Sequence, residues 1–163
     1  MTDEKSECEL WAMREFEGAS LGDKRRNERL TRMAQCLASD PGRTMSTCCG
    51  RNGAQAVSRL MNREEVTYES VLRGHYEKTR ERCCEHEMVL AAQDTTFLDF
   101  GDHPSTKGLG PIGDSEDSRG LCMHSVLMLT PNKTPLGLAG MQMWARDPGS
   151  YGISDSRRNR PIS

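Results

Sequence analysis

The sequence predicts an α+β chain, with an all-helical N-terminal module over residues 1–85 and a short series of antiparallel strands over residues 86–163. Three observations carry the prediction. Leu30, Met33, Ala34 and Leu37 repeat at the i, i+3, i+4, i+7 spacing of one buried helical face. Met88–Gln93 is a nearly continuous apolar run, short enough for a buried strand. Two further apolar runs, 123–130 and 136–146, are joined by the turn PNKTP, the signature of a hairpin.

The elements follow in order. Residues 8–17, CELWAMREFE, form a short helix with Leu10, Trp11, Met13 and Phe16 as candidate core contacts. Gly18 and Gly22 bracket a turn, and Asp23 is placed to cap the next helix, 24–39. The segment DPGRTMSTCCGRNG, 40–53, is expected to be a loop with one or two short turns. A helix resumes over Gln55–Asn62 with Ala56, Val57, Leu60 and Met61 inward. Another runs from Thr67 to about Arg82, packing Val71, Leu72, Tyr76 and His75. The first strand then covers 88–100, and a polar, Gly-rich loop leads to the second and third strands. The segment beyond Asp147 is polar and irregular.

Composition narrows the class. Apolar residues make up 35% and aromatics 5%, a lean core for 163 residues. No apolar window has the length that spans a bilayer, and the polar, acidic start MTDEKSECEL lacks the apolar region of a secretory leader. A cytoplasmic protein without membrane partners is therefore expected. The seven cysteines are odd in number and include two adjacent pairs, Cys48–Cys49 and Cys83–Cys84, which favours free thiols over a disulfide framework. Zinc held by Cys48, Cys49, Cys83, Cys84 and His86 is the alternative, but no C-x-x-C spacing supports it.

Charge is unevenly spread. Between Leu21 and Arg63 nine basic residues face three acids, a surplus of six in a chain of net charge −2. A basic segment within an otherwise acidic chain points to a local anionic partner, nucleic acid first. Arg25, Arg29 and Arg32 share the spacing of the apolar stripe and lie ~140° from it around the helix, with Arg26 beside them. They form an arginine ridge opposite the packed face; a solvated charged face is the plain alternative. Arg43, Thr44 and Arg51 in the following loop, and Arg59 beyond it, complete the candidate phosphate contacts.

Asp94 is the other candidate site. Strand alternation places Leu90, Ala92, Asp94, Thr96 and Leu98 on one face, so the carboxylate interrupts an apolar stripe. A turn cap, bonds from Thr95 and Thr96, or simple exposure are its ordinary explanations. Burial would instead demand a cationic partner, for which a divalent metal is suited.

The segments QDTTFLDF, GLGPIG, RGLCMHSVLMLT and TPLGLAGMQMWAR, preceded by LGDKRRNERL, occur in an order that resembles the DDE transposases of the IS-four family. AQAVSRLMNREEVTYESVL resembles the family's next element, usually Lys-Ala-Ala-Tyr-Arg-Phe, with Gln55 in place of the Lys and Ser58 in place of the Tyr. The resemblance runs from about Trp11 to Arg146. It implies a helical domain that binds double-stranded DNA at transposon terminal repeats, followed by the first strands of a truncated RNase H-like core. In that core Asp94 would be the first catalytic acid and a ligand of Mg²⁺ or Mn²⁺, ions that activate water and then a 3′-hydroxyl for strand cleavage and transfer. Arg119 and His124 match a recurrent R-G…H-S pattern near it. The family's second Asp and its Glu lie well downstream. Asp99, Asp102, Asp114, Glu116 and Asp117 sit too near Asp94 to replace them. The resemblance thus implies a catalytically incomplete N-terminal portion that would hold the metals poorly, or a non-catalytic DNA-binding regulator of transposition. The family acts as a dimer on paired ends in the bacterial nucleoid; dimerisation of this shorter chain does not follow.

Overall fold

The computed structural model describes residues 6–101, 103, 105–113, 118–147 and 149. The chain divides into two compact units, Met1–Glu87 and Met88–Ser163.

The first unit holds four helices: α1 (Glu7–Glu15), α2 (Lys24–Ser39), α3 (Met45–Met61) and α4 (Tyr68–Cys84). Each begins on a hydroxyl or carboxylate that accepts a bond from an otherwise unpaired backbone N–H. The caps are Ser6, Asp23, Thr44 and Thr67. Thr67 also exchanges reciprocal bonds with Ser70, a capping box built on serine. The core gathers Ala19, Leu21, Leu30 and Leu60, with Phe16, Met33, Val66 and Val71 packed against it. Leu30 and Ala34 are buried, as the periodicity of α2 requires, but Leu37, one turn on, is exposed.

Further expectations fail here. Leu10, Trp11 and Met13 are 39%, 43% and 42% exposed, and the buried positions of α1 are Ala12 and Glu15. Bulk does not select the inward face of so short a helix; the close approach of α4 does. A Cβ on Gly74 of α4 would stand 3.2 Å from the Glu15 carbonyl oxygen and from the Gly18 nitrogen, so the contact admits only small residues. Another failure concerns residues 40–53. Most of this expected loop is helical, because α3 starts at Met45 on its Thr44 cap and continues across a kink at Gly50 (φ 69°, ψ 168°). That φ lies in the left-handed region natural to glycine. Met61, expected inward, is exposed at the far end of α3.

The buried Glu15, only 3% exposed, is the main polar feature of the unit. Arg82 of α4 donates to both of its oxygens, Nη1 to Oε2 at 2.9 Å and Nη2 to Oε1 at 2.8 Å. His75 Nδ1 lies 2.6 Å from Oε1. Burial acts to raise the Glu15 pKa, but the hydrogen bonds and charge of Arg82, then those of His75, outweigh it and hold the carboxyl below its ordinary 4.5. The same contacts raise Arg82.

The second unit is an antiparallel sheet of β1 (Leu90–Asp99), β2 (Gly110–Pro111), β3 (Arg119–Leu129) and β4 (Pro135–Trp144). β3 is central. It pairs with β1 from Leu90↔Leu129 to Asp99↔Gly120, and with β4 from Cys122↔Trp144 to Leu129↔Pro135, with shifts that mark bulges. β2 pairs with the start of β3 at Gly110↔Gly120 and Pro111↔Arg119. The three long strands follow the order that the apolar runs predict. β3 begins four residues earlier than its apolar run, because Gly120 lets the Leu98 carbonyl and Ile112 close over a position where a Cβ would collide. The hairpin turn closes with Lys133 in the left-handed region (φ 65°), and Thr130 N donates to Thr134 O at 2.9 Å.

One prediction follows from the sign of the Glu15 shift. A carboxyl depressed in the folded state adds stability that is fully present above its unfolded pKa and is lost as pH falls through the folded one. Urea unfolding followed by helical circular dichroism is expected to show the helical unit weakening below about pH 4.5. Glu15→Gln is expected to cost about 2 kcal/mol at pH 7 and to flatten that acid limb. An unchanged midpoint in the variant would show that the cluster does not stabilise the unit.

Candidate nucleic-acid interface

The stretch LGDKRRNERL separates into residues that build α2 and residues that α2 displays. Leu21 is buried in the core, and Gly22 turns the chain with φ 78°. Asp23 accepts from the Arg25 nitrogen at 2.7 Å. Asn27 reaches back to the preceding turn. Its Nδ2 donates to the Ala19 carbonyl at 2.7 Å, and its Oδ1 accepts from the Leu21 nitrogen at 3.1 Å. Arg26 joins this clamp, with Nη1 donating to the Leu21 carbonyl at 3.0 Å and lying 4.0 Å from Glu65. Arg26 is thus half-buried and engaged with the turn, apart from the other arginines of α2.

Arg25, Arg29 and Arg32 are exposed. They line one wall of an open groove of about 720 Å³ between α2 and α3, whose other wall includes Cys49, Asn52, Gly53, Ala56 and Val57. Glu28 is the one acid among the groove's lining residues. Its contact with Lys24 is a loose, exposed pair at 3.9 Å. None of the three arginines has an ion-pair partner among the described residues.

The remaining basic candidates lie along α3, outside the lining of this groove. Arg43 pairs with Asp40 at 3.4 Å just before the helix. The Thr44 hydroxyl is engaged in capping, accepting from the Thr47 nitrogen at 3.3 Å within a small hydroxyl cluster. Arg51 is exposed directly after the kink. Arg59 is exposed in the last turn and donates Nε to the Gln55 carbonyl at 3.4 Å. Helix α3 and its kink bring Cys49, Asn52 and Gly53 to the groove. Sequence reasoning missed them because the hydroxyl-rich segment reads as a loop; Thr44 followed three residues later by Thr47 was the available sign of a cap.

In the second unit, Asp94 sits in mid-strand on β1, opposite Ser125 of β3. The residues of β1 from Leu90 to Phe97 are exposed, so the expected buried stripe is uncovered among the described residues and the carboxylate meets water. Thr96 Oγ1 donates to Asp94 Oδ2 at 3.4 Å. His124 pairs with Thr95, and therefore lies on the opposite face of the sheet from Asp94. There its Nδ1 bonds Thr95 Oγ1 at 2.8 Å, and its Nε2 is 3.4 Å from Gln93 Oε1. Arg119 stands at the far start of β3, opposite Pro111. Asp99 accepts from the Gly101 nitrogen at 2.8 Å in a local turn. Asp102, Asp114, Glu116 and Asp117 lie outside the described residues. Among the described residues no three His, Cys, Asp or Glu side chains converge as a metal-binding group. Asp94 with its threonine neighbour supplies a single carboxylate among the described residues, and a two-metal centre would need further ligands beside it.

The geometry is that of a helical module that displays three arginines at helical spacing along an open groove, without ion-pair partners among the described residues. Residues 8–66 match the family model for transposase DNA-binding. The match spans α1 to α3, includes the arginine stripe, and ends just before the cap of α4. It supports a transposase assignment, with DNA as the partner of this region. No helix is long and apolar enough to cross a membrane among the described residues.

Stability separates a side chain that builds the fold from one that is displayed. Asn27→Ala removes a side chain that satisfies two backbone groups of the turn and is expected to cost about 1–3 kcal/mol in urea unfolding. Asp94→Asn, at an exposed site with one long hydrogen bond, is expected to change stability by less than about 0.5 kcal/mol.

Proposed function

We propose that this chain is the N-terminal portion of a DDE transposase of the IS-four family, similar to the Tn-five transposase, and that it grips the terminal repeats of a transposon. The observation that carries the reading is the placement of Arg25, Arg29 and Arg32 along one groove inside the region that matches transposase DNA-binding. Guanidinium groups at helical spacing, without carboxylate partners among the described residues, suit successive phosphates of a duplex backbone. Arg51 and Arg59 extend the basic surface along α3.

Asp94 is proposed as the first metal ligand of an RNase H-like core that begins with β1, β3 and β4. Cut-and-paste chemistry would need further acids gathered around it, and this chain is proposed to bind ends without cutting them. A regulator that occupies ends and blocks assembly is the second reading. It is favoured by the placement of the arginine groove wholly within the helical unit.

Fluorescence anisotropy with a duplex carrying the element's inverted repeats tests the binding claim. The association constant is expected to fall with salt, and Arg25→Ala, Arg29→Ala and Arg32→Ala together to reduce the log–log slope by about 3. A salt-independent constant, or a triple variant that binds like the parent chain, would make the stripe a solvated face only. Mg²⁺-dependent strand cleavage by the parent chain, lost in Asp94→Asn, would overturn the non-cutting assignment and exclude the regulator.

A further inference from the structure

The arginine stripe of α2 does not end at Arg32. The next position at helical spacing is Cys36, which lines the same groove. Facing it is Cys49 of α3, the last residue before the Gly50 kink. The two side chains line the groove from facing helices, and burial, followed by the neighbouring Cys36 thiol, pushes the Cys49 thiol up to about 11. Cys49 Sγ also donates to Met45 Sδ at 3.6 Å. A Cβ on Gly53 would stand 2.8 Å from the Cys49 Cβ, so the glycine leaves the space that Cys49 occupies. The adjacent Cys48 has a different partner, its Sγ donating to the Asp40 carbonyl at 3.7 Å. All seven cysteines are free in this structure.

We propose that Cys36 and Cys49 form a reversible disulfide that regulates the arginine groove, with hydrogen peroxide as the oxidant; the regulatory role rests on the reading of the groove as a DNA-binding site. Cys36 gives up its thiol proton as its sulfur attacks one peroxide oxygen; the S–O bond forms, the O–O bond breaks, and the departing hydroxide takes that proton and leaves as water. The Cys49 sulfur then attacks the sulfenic sulfur, the S–S bond forms, the S–O bond breaks, and a second water carries away the Cys49 proton. The thiols lose two electrons and the peroxide gains them. Cys49, protonated at neutral pH, serves as the resolving thiol, and Cys36 reacts first. An S–S bond of about 2.05 Å replaces the open juxtaposition of the two thiols across the groove. It draws the second half of α2 onto the kinked start of α3, which closes the groove at the end nearest Arg32. Phosphate access to Arg32 and Arg29 is reduced.

The test compares the full chain, reduced and peroxide-treated, by peptide mapping and by anisotropy on the inverted-repeat duplex. Treated protein is expected to yield a Cys36–Cys49 cross-linked peptide and to bind DNA on the order of tenfold more weakly, a coupling of ordinary size. A thiol reductant restores both, and Cys48→Ser changes neither. Cys36→Ser and Cys49→Ser are expected to bind DNA equally well with and without peroxide. A Cys36–Cys48 cross-link, no cross-link, or a cross-link with unchanged affinity overturns the inference while leaving the groove reading intact. Reduced protein that fails to bind the duplex overturns the groove reading, and the regulatory claim with it. The comparison of reduced and oxidised parent chain stands without any variant having to fold.

Discussion

The first unit is organised around one carboxylate. Glu15 is buried at the end of α1 and takes its partners, His75 and Arg82, from a helix some sixty residues away. A buried carboxylate without partners is costly. The geometry of α4 against α1 is therefore fixed within the tolerance of charged hydrogen bonds. Gly18 and Gly74 permit the approach that those bonds require. From there the constraint passes along the chain. The end of α1 sets the 16–22 turn, Asn27 holds that turn at Ala19 and Leu21, and Asp23 starts α2. Which face of α2 turns outward follows from that start.

Within α2, neighbouring arginines divide between building and display. Arg26 bonds the backbone of the turn it helps to hold, whereas Arg25, one residue earlier, faces the groove. Arg25 and Arg29 are like charges at i, i+4, an arrangement that destabilises an isolated helix by about 0.2–0.5 kcal/mol. Folding gains nothing from it. A cluster that opposes its own helix is accounted for by an anionic partner, and the concave setting strengthens its field at the groove.

The sequence was legible where local chemistry decides the outcome. Asp23 before a basic run caps α2, and Leu30 and Ala34 are buried because their spacing admits one inward face. The strand order of the sheet follows from three apolar runs and a hairpin turn. It was illegible where distant contacts decide. Trp11 is the largest side chain of α1 and is exposed, because α4 selects Ala12 and Glu15 instead. Nothing near Glu15 in sequence announces Arg82. The kink at Gly50 hides a helix inside a stretch whose glycines, serines and threonines have the composition of a loop. At the candidate sites the arginine stripe was readable as a ridge. The groove it lines, and the separation of Arg26 from it, needed the packing of α2 on α3.

Asp94 poses the same question as the arginine stripe, in a different setting. In mid-strand it interrupts an alternation that otherwise carries Leu90, Ala92 and Leu98, yet it is exposed and its one described bond is long. A carboxylate in water needs no cation, so the burial argument for a metal does not hold on this sheet by itself. Position takes its place. The side chain projects from the middle of a paired strand, where backbone bonds to β3 on one edge fix its direction. A rigid strand is a better platform for a ligand than a loop, because it holds the oxygen atoms still before their partners arrive. His124, on the reverse face, cannot join such a site without a change of register. Any centre built on Asp94 must therefore recruit groups that reach its own face of the sheet.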